Sequence, residues 1–309
     1  MKKYKQILWL LIGAALIASL FIRQPRFIDA HTIDLIDQAR RLDFEDCWPG
    51  YQPDMYPVEV YKRNLLGRDS IVRYDKNGLY EIKDKTPVYA LSMDVDPDGQ
   101  AVVRMITARD YQSLSDMGNY DGPSADLSYQ AVFAHEAFHC FQFDRGFYDL
   151  FKQRTSACQK SSVAATSRKL DHDPEYQKLW VDEMHRLIDY AKEGNAKNHQ
   201  AYLHSYQMRL DYLYSSLEAE DADEYLSYSA LYEKSEGTAQ YIENIALSRL
   251  SGKKLEFSIT GYGADASKFY DSGFLKSYIL DQKKGLDWKT DFFTTDKTFE
   301  DYLLEADRL

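Results

Sequence analysis

The alternation of apolar and polar positions divides the chain into a β-rich part at about 55–108 and a helical part at 124–309. Short β-branched and aromatic runs recur in the first part, separated by the turn signals Asn77-Gly78 and Pro97-Asp98-Gly99. Runs of this kind between turns predict a small, mostly antiparallel sheet. From 124 onwards the apolar positions recur at helical spacing, which predicts a predominantly α-helical second part. The predicted fold class is therefore α+β.

The clearest predicted helix begins at Asp173-Pro174 and ends at Gly194-Asn195. Asp is a favoured N-cap, Pro is favoured at the first helical position, and Gly commonly ends a helix in a left-handed conformation. Further helices are predicted at about 199–218, 224–250 and 266–282. No Pro-, Gly- or Ser-rich linker interrupts this order, so residues 27–309 are predicted to form a single domain.

The first 26 residues have a different character. Lys2, Lys3 and Lys5 precede an uncharged apolar run from Ile7 to Ile22. The run is close to the length of a spanning helix and ends in bulky residues without a small-residue cleavage site. It therefore predicts a retained membrane anchor over residues 1–26, with a cytoplasmic N-terminus and an extracytoplasmic domain. A cleaved signal peptide, which would give a secreted protein, is the alternative.

The charge balance limits the classes of partner. The 309 residues include 38 Lys and Arg against 49 Asp and Glu, which gives a net charge of −11. A surface that binds nucleic acid needs basic side chains to neutralise phosphates, so no nucleic acid is expected as a partner. The three cysteines form neither a disulfide framework nor a C-x-x-C pair.

One short acidic segment has two interpretations. Residues 94–99 read Asp-Val-Asp-Pro-Asp-Gly, which matches the opening of a calcium-binding loop. The twelfth position of such a loop carries a bidentate Glu, whereas this chain has Met105 there. The segment is therefore interpreted as a hairpin turn.

The principal chemical motif lies in an apolar helical stretch at 128–142, which contains His135, Glu136 and His139 in the order His-Glu-Ala-Phe-His. Two histidines four positions apart lie on one face of a helix, so both imidazoles can bind a single ion. Glu136 follows the first histidine, where it can reach a water on that ion and act as a general base. The pattern predicts a zinc site with catalytic potential.

A third ligand is needed, because catalytic zinc usually has three protein ligands and one water. No histidine follows His139 at the spacing of metzincins. Residues 235–244, Ser-Glu-Gly-Thr-Ala-Gln-Tyr-Ile-Glu-Asn, resemble the E-G-x-A-x-Y-x-E helix of aminopeptidase-N-like gluzincins. The resemblance implies a zincin-like fold that binds Zn²⁺ and has Glu236 as the third ligand. Glu233, one turn earlier, is a weaker alternative.

The same segment suggests how the site is supported. Gly237 and Ala239 are small enough for close packing against the helix that carries the two histidines. Gln240 or Asn244 is a candidate to orient a ligating imidazole. Glu243 is expected in a supporting or surface position.

A second, weaker resemblance lies further along the chain. Residues 269–275, Phe-Tyr-Asp-Ser-Gly-Phe-Leu, look like the Y-x-x-G opening of a helix in the same enzymes. The resemblance implies that Tyr270 faces the zinc and donates a hydrogen bond to the oxyanion, with Tyr262 as the alternative. The G-x-M-E-N motif that recognises a free amino terminus is absent, so aminopeptidase specificity is not implied.

Together these motifs predict a membrane-anchored zinc metallopeptidase that hydrolyses a peptide or protein substrate. Zinc held by His135, His139 and Glu236 would activate water, and Glu136 would accept its proton. Two alternatives stay open. One is a non-catalytic binding or assembly protein that keeps a zincin scaffold at the membrane, and the other is a zinc hydrolase of a non-peptide amide.

Overall fold

The computed structural model describes residues 28–62, 70–82, 91–117, 122–159, 163–257, 262–263, 265–283 and 287–306. These residues form a mixed α+β structure, in which a five-stranded sheet is followed by a predominantly helical part. The α+β class predicted from the sequence is confirmed at this level.

The sheet consists of β1 Val58–Lys62, β2 Ser70–Asp75, β3 Gly78–Ile82, β4 Ser92–Val95 and β5 Ala101–Ile106. The strand order is β3-β2-β1-β5-β4, so β4 lies at one edge of the sheet. Neighbouring strands pair in antiparallel fashion except β1 and β5, which are parallel. The prediction of a mostly antiparallel sheet is therefore confirmed.

The turn between β4 and β5 is a hairpin, as interpreted from the sequence. The Asp96 Oδ1 atom accepts hydrogen bonds from the backbone N–H groups of Asp98 and Gln100, both at 2.9 Å. Its Oδ2 atom accepts from Arg73 at 2.8 Å. The Asp96 carboxylate is thus engaged in closing the turn, which agrees with a turn rather than a calcium loop.

The helices are α1 Ala30–Arg40, α2 Ala108–Met117, α3 Ala125–Asp144, α4 Phe147–Gln159, α5 Val163–Asp171, α6 Pro174–Glu193, α7 Ala196–Ser216, α8 Ala219–Tyr232, α9 Thr238–Ser251, α10 Lys268–Asp281 and α11 Phe299–Ala306. The helical part surrounds the long central helix α3, and a π turn at Glu233–Gly237 joins α8 to α9. The helix α6 has the capping that the sequence predicts, since Asp173 accepts from Glu175 N and Tyr176 N and Gly194 is left-handed.

The helix α3 is central because it is apolar on most sides. It packs against β5, α1 and α9, and its Phe133 and Phe138 side chains are fully buried. Trp48 packs on Phe138 with ring centroids 4.8 Å apart and on Phe293 at 5.3 Å, so the segments before and after the helix share one core. Burial of this kind holds α3 rigidly and fixes the side chains on its polar stripe.

The predicted membrane anchor at 1–26 lies outside the described residues. Within the part of the chain that the structure describes, no helix is long and apolar enough to cross a membrane. Even the apolar helix α3 carries ionisable residues along its length, at Asp126, His135, Glu136, His139 and Asp144. The single-pass, membrane-anchored localisation expected from the sequence is corrected accordingly, because no described helix provides the span.

Candidate metal centre

Three predicted ligands meet at one point between α3 and the π turn. The Nε2 atoms of His135 and His139 lie 3.1 Å apart. The Oε2 atom of Glu236 lies 3.6 Å from the first and 3.3 Å from the second. All three donor atoms fall within 4.8 Å of one another, which makes the group one that could hold a metal ion. The structure thus brings together the two histidines and a glutamate that lies about 100 positions later in the chain.

The local structure explains this convergence. The two histidines project from consecutive turns of α3, and His135 is buried while His139 is partly so. Glu236 lies in the π turn at Glu233–Gly237, at the point where the chain passes from α8 to α9. Turns of this type are rare in proteins and occur frequently at functional sites. The side chain of Glu236 is only 19% exposed, so its carboxylate faces the imidazoles rather than bulk water.

Gln142 fixes the orientation of His139. Its Nε2 group donates to the carbonyl oxygen of Ser235 at 2.8 Å and to Thr238 Oγ1 at 2.9 Å. The Oε1 atom is therefore the one that faces His139 Nδ1, at 2.8 Å, and it accepts a hydrogen bond from that ring nitrogen. With its proton on Nδ1, His139 presents the lone pair of Nε2 to Glu236 and His135.

Glu243 has the corresponding position beside His135. Its Oε2 atom lies 2.9 Å from His135 Nδ1, although the oxygen is out of line with the ring N–H. A carboxylate at this distance favours the proton on Nδ1 and again leaves the Nε2 lone pair facing the centre. Gln240 and Asn244, suggested by the sequence for this role, do not supply it. The Asn244 amide donates instead to the Gln240 backbone carbonyl within α9.

The donor set fits a divalent cation. Two lone pairs and a carboxylate face one another at 3.1–3.6 Å, an arrangement that is repulsive unless positive charge lies among them. Burial lowers the pKa of His135, but Glu236 and Glu243 outweigh burial and raise that pKa to about 10, so the site attracts positive charge, whether a proton or a metal ion. Burial raises the pKa of Glu236, but His139 and His135 outweigh it and hold that pKa well below its usual range. Two imidazoles with one carboxylate are a ligand set typical of zinc.

The site opens into a cavity of about 340 Å³, and the remaining predicted catalytic residues line it. Glu136 lies in the cavity wall beside the two histidines. Tyr270 lies in the same wall, with its ring stacked over that of His135 at a centroid distance of 6.3 Å. Burial raises the pKa of the Tyr270 phenol, and Glu236 raises it further, so the hydroxyl keeps its proton.

Tyr262, the alternative to Tyr270, lies elsewhere. Its hydroxyl donates to Asp171 Oδ1 at 2.5 Å, and its ring packs edge-on against Tyr176. It does not appear among the described residues that line the cavity. Of the two tyrosines named from the sequence, only Tyr270 therefore faces the candidate metal centre.

A contact between two glycines sets the distance between the π turn and α10. A Cβ on Gly273 would lie 2.6 Å from the carbonyl oxygen of Glu233, and a Cβ on Gly237 would overlap Gly273 Cα. This contact brings Glu236 and Tyr270 to the same cavity from two different helices. The expectation that this segment packs closely on the histidine helix is confirmed, because α9 packs against α3, whereas Gly237 itself meets Gly273 of α10.

Glu233, the alternative ligand, points away from the histidines. Its Oε1 atom accepts from Ser272 Oγ at 2.6 Å and from Lys276 Nζ at 2.7 Å. Lys276 also pairs with Glu300. The Glu233 side chain is 6% exposed, so it forms a buried ion pair that ties the π turn to α10.

Comparison with known proteins identifies no relative of the chain. No family model, no curated protein and no solved structure matches the chain. The likeness to gluzincins therefore rests on the sequence motifs at 135–139, 236–243 and 269–275.

Sequence reasoning missed two residues that support the site. Gln142 lies three positions after His139, and this spacing places both side chains on one face of a helix. The sequence signal for this role is a polar glutamine within an otherwise apolar helical stretch. Gly273 is the glycine of the Y-x-x-G match at 269–275, but its contact with the π turn depends on how α10 crosses that turn and is not visible in the sequence.

Proposed function

We propose that the chain is a zinc-dependent hydrolase that cleaves peptide bonds on a zincin-like scaffold. The observation that carries the proposal is the convergence of His135, His139 and Glu236 on one point, with Glu136 and Tyr270 in the wall of the adjoining cavity. These five residues supply the ligands, a base and a hydrogen-bond donor that hydrolysis by activated water requires.

Each residue has a distinct task. His135, His139 and Glu236 would hold zinc, which when bound would supply a Lewis acid that lowers the pKa of water towards neutrality. Glu136 accepts a proton from the attacking water and delivers it to the leaving amine. Tyr270, protonated at neutral pH, donates a hydrogen bond to the oxyanion that develops on the substrate carbonyl.

Gln142 and Glu243 act through the histidines. Gln142 accepts a hydrogen bond from His139 Nδ1, and the Glu243 carboxylate lies 2.9 Å from His135 Nδ1, so both Nε2 lone pairs are directed at the metal position. Partners of this kind fix the tautomer and the ring orientation of ligating histidines. The presence of both a carboxylate base and a phenol in the cavity wall favours an enzyme over a binding protein that only keeps the scaffold.

The test compares two substitutions of Glu by Gln in zinc-loaded protein. Glu136→Gln should leave the zinc content at one ion per chain and abolish chelator-sensitive cleavage of a mixed peptide library. Glu220→Gln, on the exposed surface of α8, is the matched control and should cleave as the unaltered chain does. Cleavage by the Glu136→Gln protein at the unaltered rate would contradict the proposal.

A further inference from the structure

Part of the wall of the cavity that holds the candidate metal centre is apolar and largely aromatic. Phe143 at the end of α3, together with Tyr148 and Phe151 on α4, forms one side of it. Leu91 and Met93, at the edge strand β4, form another. The Phe143 and Tyr148 rings are 5.6 Å apart, so they present a continuous surface rather than isolated side chains.

These side chains are available to a ligand. Tyr148 is 39% exposed although it is a large aromatic residue, and Phe143, Phe151 and Met93 are only partly buried. Water in contact with apolar surface is unfavourable, so binding is stabilised when an apolar group of a ligand covers that surface. Among the residues that the structure describes, an apolar part of the cavity wall is therefore left open next to the point at which bond cleavage is proposed.

The charged residues of the cavity wall also indicate the kind of substrate. Among the described residues that line it, the acidic side chains are Glu136 and Glu236, both assigned to the reaction, and there is no Lys, Arg or Asp. A free terminal carboxylate would find no cation in this wall, and a free amino terminus would find no further carboxylate. The described wall thus suits an uncharged segment of a polypeptide rather than a chain end.

We infer that the substrate is an internal, uncharged polypeptide segment that places a bulky apolar side chain, aromatic or large aliphatic, against Phe143, Tyr148, Phe151 and Met93. The cleavage mode is therefore that of an endopeptidase. This inference rests on the proposed function and adds the substrate class to it.

The test uses zinc-loaded full chain and internally quenched peptides with both ends blocked. The peptides differ only at the residues that flank one central bond, which are Phe, Leu, Ala, Lys or Asp. Phe and Leu should exceed Ala in kcat/KM by about tenfold or more, because an apolar pocket discriminates on this scale, and Lys and Asp should fall below Ala. A peptide with a free amino terminus should gain nothing over its blocked form.

A pair of variants tests whether this wall causes the preference for Phe over Ala peptides. Tyr148→Ala should lower the ratio of the rates for Phe and Ala peptides by about threefold or more, since part of the apolar contact is lost. Tyr80→Ala is the matched control, because Tyr80 is also 39% exposed but lies on β3 and does not line this cavity. It should leave the ratio unchanged.

Binding of N-acetylated amino-acid hydroxamates to zinc-loaded Glu136→Gln protein separates the two proposals, because it needs no turnover and the probes carry no free amino group. Tighter binding of the phenylalanine than of the alanine hydroxamate supports the preference for a bulky apolar side chain. If no peptide is cleaved at the same time, the hydrolase proposal fails while this preference stands. Chelator-sensitive cleavage with equal rates for all five peptides would leave the hydrolase standing and overturn the substrate class. Equal binding of both hydroxamates would also overturn it.

Discussion

The Gln142 Oε1 atom accepts a hydrogen bond from His139 Nδ1 at 2.8 Å, while its Nε2 group donates to the backbone carbonyl of Ser235. Ser235 immediately precedes Glu236. One side chain of α3 therefore links a histidine ligand to the backbone of the turn that carries the carboxylate ligand. The two halves of the candidate metal centre come from distant parts of the sequence, and Gln142 couples their positions.

Removal of this link should weaken metal binding. In Gln142→Leu, the His139 ring loses its acceptor and the Ser235 carbonyl loses a donor, so zinc affinity should fall by about 10- to 100-fold. Competition with a chromophoric chelator measures the change. Gln207→Leu, an exposed position on α7, is the control and should bind zinc normally. Unchanged affinity in Gln142→Leu would show that the amide does not orient the ligand.

Two glutamates in the π turn should respond in opposite ways to the same substitution. Glu236→Gln removes the anionic ligand and should abolish stoichiometric zinc binding while the fold is retained. Glu233→Gln breaks the buried pair with Lys276 and should lower the free energy of unfolding by about 3 kcal/mol with zinc binding retained. Zinc titration and urea unfolding of both variants provide the measurement. Full zinc occupancy in Glu236→Gln would refute its assignment as a ligand.

The two tyrosines named from the sequence allow a similar comparison. Tyr270→Phe removes one donor to the oxyanion and should lower kcat about 100-fold with little change in KM or in zinc content. Tyr262→Phe loses only the hydrogen bond to Asp171 and should leave kcat unchanged. Steady-state kinetics on one peptide decide between them. Equal kcat values for both variants would remove Tyr270 from the mechanism.

The glycine contact should tolerate no side chain. In Gly273→Ala, the added methyl group meets the Glu233 carbonyl and Gly237 Cα, so α10 must move away from the π turn. Overpacking of this kind should lower the free energy of unfolding by about 1–3 kcal/mol. Because the shift separates Tyr270 from Glu236, peptide cleavage should also fall more than zinc binding does. Thermal unfolding at the unaltered temperature would show that the contact is not tight.

The parts of the fold and site that could be predicted are those set by local spacing or by a motif. The helix α6 follows from the cap at Asp173 and the glycine at its end. The pairing of His135 with His139 follows from the helical repeat. Glu236 was reached only through the resemblance of residues 235–244 to a gluzincin helix, since nothing local connects it to His139.

The parts that could not be predicted depend on how elements pack across long separations. The parallel pairing of β1 with β5 is one example, because the intervening hairpins suggest only antiparallel neighbours. The partner of Gly237 is another, since small residues indicate close approach without indicating which helix approaches. The contact of Glu243 with His135 likewise depends on the path of α9 beside α3.

Zinc K-edge X-ray absorption of the zinc-loaded chain tests the metal centre most directly. Ligation by His135, His139 and Glu236 predicts a four-coordinate shell of nitrogen and oxygen at about 2.0–2.2 Å, with the outer-shell scattering of two imidazoles. Sulfur at about 2.3 Å, or a shell without imidazole scattering, would contradict the assignment.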